Sequence, residues 1–180
     1  MRSVALHRAI RVALLVVIAG ALGLGAHRIR RSEEQVELTR YVERELPPLV
    51  AEEQAVADAL SALLADRALP PDAARRRLVD ELTPRLVRLR RRAAALSPET
   101  ATVRQLAAQY LGVVDAWTEA ARAAVHAIDD PKTSTEAGVA LVRDALADAA
   151  RASQAFSAHL VETCAHHRLA APRAGAEPPR

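Results

Sequence analysis

The chain has 180 residues, a formal net charge of +3, 51% hydrophobic and 26% charged residues, and only 2% aromatics. That balance supports one domain with a core built from Leu, Val and Ala, and it excludes a disordered polyampholyte. With six glycines and no P-loop, GxGxxG, GxSxG, HExxH or paired CxxC motif, it argues against sheet-rich folds, nucleotide enzymes, serine hydrolases and zinc-cluster proteins. Lys132 is the sole lysine and asparagine is absent, a bias that fits a GC-rich bacterial genome and weakens any reading of the arginines as a nucleic-acid surface.

A charge-free apolar run extends from Val12 to Ala26, preceded by Arg2, Arg8 and Arg11 and followed by Arg28, Arg30 and Arg31. It reads as a single-pass membrane anchor if Ala9 and Ile10 extend it and Arg11 reaches the interface. The competing reading is a cleaved signal peptide with Ala19-Gly20-Ala21 as the small-x-small site. The run continues past Ala21 and ends on arginines, which favours retention. A short basic N-terminal tail places the remainder of the chain outside the cytoplasm. The expected partners are thus the membrane, through residues 12–26, and an unidentified protein; a homo-oligomer is allowed and nucleic acid is not expected.

Beyond residue 31 the pattern predicts helix nearly throughout. A first helix is expected over 32–67, with the stripe Leu38, Val42, Leu46, Leu49, Val56, Leu60 and Leu63 and an interruption at Pro47-Pro48. A second opens at Pro70-Pro71-Asp72 and carries Leu78, Leu82, Leu86, Leu89, Ala93 and Leu96, bent at Pro84. Ser97-Pro98-Glu99 predicts the N-cap, first turn and acidic start of a third. Its stripe is Val103, Leu106, Tyr110, Val113, Trp117, Ala121, Ala124 and Ile128, and Asp129-Asp130-Pro131 ends it. A fourth starts near Ser134 or Thr135 and buries Val139, Val142, Leu146, Ala149, Ser153, Phe156, Leu160 and Cys164. Short connections make neighbours antiparallel. The expected fold is all-α: an N-terminal membrane segment within residues 1–31, an up-down-up-down four-helix bundle over 32–169, and a disordered Pro/Ala-rich tail over 170–180.

Few residues carry chemistry. Glu162 and His166 stand at i,i+4, not the Glu-x-x-His spacing of di-iron bundles. Cys164-Ala165-His166-His167 lacks the second cysteine of a covalent haem site, and no methionine beyond Met1 exists as an axial ligand. His126 falls far from its helix's apolar line. No cofactor, metal or catalytic residue is therefore expected. Arg85, Arg88, Arg90, Arg91 and Arg92 form a basic run that is either a solvated face or a docking patch for an acidic partner or anionic lipid.

Glu53 is the exception. It lies on the line of Leu49, Val56 and Leu60, where an unpaired carboxylate is costly. Depth along the helices makes Arg85 its expected ion-pair partner. The alternative is that Pro47-Pro48 shifts the helical phase and exposes it. On these grounds the chain is expected to be an anchored accessory, scaffold or interaction protein without enzymatic activity. The alternative is a secreted or anchored ligand or cofactor carrier that uses the bundle interior.

Overall fold

The structure is a computed structural model that describes residues 33–66, 68–130 and 135–169. The apolar run at 12–26 and the tail at 170–180 lie outside the described residues. Among the described residues, all regular structure is helical, and no helix is long and apolar enough to cross a membrane.

Helix α1 (33–40) passes through a π-helical turn, Tyr41–Glu45, into α2, Pro47–Ala65. The cause is the proline pair. Pro47 and Pro48 have no N–H to donate, and their rings would collide with the carbonyls one turn upstream. The π turn widens the backbone there, and the Leu46 N–H donates to Tyr41 O at 2.8 Å, five residues back. The expected interruption thus takes the form of a bulge within one continuing rod. The second rod repeats the device. Helix α3, Pro71–Arg76, starts after Pro70 in extended conformation. A π turn, Arg77–Leu82, precedes α4, Thr83–Ala94, and places Pro84 in the new first turn. The Thr83 N–H reaches Leu78 O, and its hydroxyl donates to the same carbonyl at 2.8 Å.

Helix α5 spans Ala101–Asp129 and α6 spans Thr135–His166. Here the sequence expectation needs correction: α5 does not start at Pro98. Glu37, from α1, accepts the Glu99 N–H at 2.6 Å and the Thr100 N–H at 2.8 Å. Both groups are held outside the helix, so Thr100 becomes the N-cap and Arg104 N–H to Thr100 O is the first helical bond. A carboxylate contributed by another helix has replaced the local cap.

The rods alternate in direction. At one end Glu37 meets the start of α5, the Thr102 hydroxyl donates to Glu34, and Gln35 donates to the His167 carbonyl after α6. At the other end Arg75 of α3 holds Asp129 of α5 through two hydrogen bonds, 2.6 and 3.2 Å. Helix α5 packs closely on α6 and α4, and α4 packs on α2. Most residues of the four expected stripes are buried and form the core, joined by Tyr41, Val114 and Ala120, while Leu96, Ile128 and Leu146 pack against it half-buried. Val139 departs from expectation. It is 62% exposed.

Candidate functional site

The polar centre of the molecule is built on Glu53. α2 carries it inward between Leu49 and Val56, and it is only 9% exposed. Its Oε1 accepts the Ser153 hydroxyl of α6 at 2.7 Å and the Trp117 indole N–H of α5 at 3.1 Å. Ser153 Oγ lies 3.2 Å from the same indole nitrogen and 3.2 Å from Ala149 O in its own helix. One carboxylate oxygen therefore ties three rods together. The alternative in which Pro47-Pro48 exposes Glu53 does not apply, because the π turn lies upstream and α2 keeps its own phase.

The expected pair with Arg85 does not form. Arg85 stands at about the level anticipated, but its Nε binds Glu52 Oε1 at 2.9 Å. The reason is angular. One residue is a step of about 100° on a helix, so Glu52 faces α4 while Glu53 faces α5 and α6. The Arg85 hydrogen bond lowers the Glu52 pKa against partial desolvation, with smaller contributions from the charges of Arg85, Arg88 and Arg92. Both side chains of the pair are about a third exposed, at 30% and 33%. Arg85→Leu is accordingly expected to cost no more than about 1 kcal/mol in urea unfolding, far below the loss for an orphaned buried charge.

The arginine run does not make one continuous face. Arg85, Arg88 and Arg92 lie toward Glu52, Arg90 crosses the other way to Asp115 of α5 at 2.7 Å, and Arg91 is exposed.

Two tyrosines frame the centre. Tyr110 and Tyr41 are fully buried, and neither hydroxyl has a partner in hydrogen-bonding geometry. Burial raises both phenol pKa values far above the ordinary range, reinforced by Glu53 at Tyr110 and by Glu45 at Tyr41. Tyr110 also packs at a tilt against Phe156, with ring centroids 5.3 Å apart. Sequence position marks neither tyrosine for chemistry, because a single apolar stripe does not show which hydroxyls converge across rods.

Three histidines and one carboxylate lie together along the α5–α6 groove. A shallow recess of about 280 Å³ is lined by Thr102, Gln105, His159, Glu162, His166 and His167. Among the described residues no three His, Cys, Asp or Glu side chains are grouped to hold a metal ion. Cys164 is a buried free thiol whose pKa is raised by burial, and His126 lies away from the core. No protein-family model, curated protein or solved structure matches the chain.

Proposed function

We propose that this chain is a membrane-anchored helical bundle held outside the cytoplasm that works by protein–protein contact, as an accessory or scaffold component. The observation that carries the reading is the charge-free run Val12–Ala26, bracketed by arginines and ending a few residues before the first described helical residue, Glu33. A bundle that follows a bilayer anchor within so few residues is held close to the membrane surface. Its Glu53–Trp117–Ser153 centre ties three rods together, which supports a structural role for these polar side chains.

The test is fractionation of native cells followed by mass spectrometry and protease accessibility. The expected result is membrane-bound protein yielding peptides that span Ala19 to Arg28, with the bundle digested by protease added from the extracytoplasmic side. A soluble form beginning at Leu22 would overturn the anchor.

A further inference from the structure

We infer that the open seam between α2 and α6 is a docking groove for a helix of a partner protein that carries an apolar face interrupted by one Lys or Arg. This inference rests on the interaction-protein reading above and names the chemistry of the partner.

The seam is visible in the packing. α5 is covered by α4 and α6, and α4 by α2, whereas the backbones of α2 and α6 hardly approach one another. Side chains along this boundary show the consequence. Val50 and Leu64 on α2 are 39% and 38% exposed, and Val139 and Val161 on α6 are 62% and 49% exposed. At about 100° per residue, all four lie on the flank that each helix turns toward the other. Gln35, which shares this side of the first rod, reaches the His167 carbonyl after α6 and agrees with that direction. These four large aliphatic side chains border the seam on both sides. From Val50 to Leu64 the trough runs about 21 Å, roughly four helical turns.

The floor of the trough supplies the specificity. Glu53 follows Val50 by less than a turn and meets Ser153 of α6 across the seam. Both of its hydrogen bonds fall on Oε1. Among the described residues no donor in bonding geometry reaches Oε2, the nearby Tyr110 hydroxyl included, and no basic side chain lies within ion-pair distance. A carboxylate so placed favours a cation arriving with the occupant and disfavours an acidic one. The same charge argues against a second copy of this chain seated symmetrically on the seam, which would bring two Glu53 side chains together. A helix with a central Arg satisfies the free oxygen with a charge-assisted bond, and its apolar face covers the four aliphatic side chains.

The probe is a synthetic helix of about 18 residues, long enough to span the trough, with a Leu/Ala face and one central Arg. It is labelled and titrated onto the full chain in zwitterionic nanodiscs, with empty nanodiscs as reference. A second peptide carries Glu at the central position. The Arg peptide should bind saturably and at least about tenfold more tightly than the Glu peptide. Glu53→Gln should remove that preference, and Val50→Glu or Val161→Glu on the exposed rim should abolish binding while leaving the far-UV circular dichroism unchanged. Equal affinity for both peptides, or an Arg preference that survives Glu53→Gln, would overturn the proposal. So would binding only after removal of residues 1–31, which would make the chain's own apolar run the occupant, or a dimer dissociated by Val50→Glu, which would make it a second copy. Because docking is read in nanodiscs, it fails or succeeds independently of where cells place the protein.

Discussion

Trp117→Phe should destabilise the bundle by about 2–4 kcal/mol, and the loss should be coupled to Glu53. Two effects combine. The indole N–H is one of the two donors to Glu53 Oε1, and a hydrogen bond to a charged acceptor contributes roughly 1.5–3 kcal/mol. Shrinking an indole to a phenyl ring in a site that is 7% exposed also leaves a void, which adds about 1 kcal/mol. Glu53→Leu removes the acceptor and the charge together, so it should cost less than Trp117→Phe, and the double variant should recover part of the single loss. Urea unfolding of the four proteins in a double-mutant cycle should give a coupling of about 1 kcal/mol or more. Additivity within about 0.5 kcal/mol would show that the indole and carboxylate are neighbours without mutual stabilisation.

Glu37→Gln should cost about 1–3 kcal/mol at neutral pH, and the difference from the native chain should vanish in acid. Glu37 holds the two backbone N–H groups that precede α5, in the manner of an N-cap supplied from a different helix. Burial by itself raises its pKa. The Thr100 hydroxyl nearby (outside good hydrogen-bonding geometry), the Glu99 and Thr100 N–H groups and the Arg40 charge outweigh that, and the net shift is downward. The sign follows from linkage. A carboxyl whose folded pKa lies below its unfolded value binds fewer protons in the folded state. Its stabilisation is fully present above the unfolded value, about 4.3, and is lost as pH falls through the lower folded value. Urea unfolding from neutral pH downward should show the native and Glu37→Gln curves converging below about pH 4. A constant gap across that range would mean that the loss does not depend on the Glu37 charge, and no gap at any pH would mean that the amide caps α5 as well as the carboxylate does.

Glu37 and Glu53 also mark the boundary between local and tertiary information. Burial of Glu53 is legible from phase alone, because a residue in line with Leu49, Val56 and Leu60 must follow them into the core. Its partners are not. They come from α5 and α6, and a helix's own periodicity says which way a side chain faces but not what the facing helix presents there. Counting along the helices gives Arg85 its correct depth and the wrong azimuth, and the single step between Glu52 and Glu53 decides which carboxylate it meets. Glu37 carries no sequence signal: it sits on α1 far from the α5 start that it caps, and Ser97-Pro98-Glu99 offers a complete local alternative.

What the sequence by itself determined is the set of helices, their buried stripes and their turns. These depend on interactions within a few residues: side-chain period, Pro-Pro and Asp-Pro punctuation, and acids in first turns. The prolines at 47, 48 and 84 announced interruptions, and only the folded rods showed that π turns absorb them, because packing on both sides of each proline favours one continuing rod over a break. The tertiary structure alone decided where α5 begins, which donors hold Glu53, and that α2 and α6 leave a seam between them. Each is a relation between rods, set by how far apart four cylinders settle once their alanine-rich and leucine-rich faces have packed, and no single stripe encodes that distance.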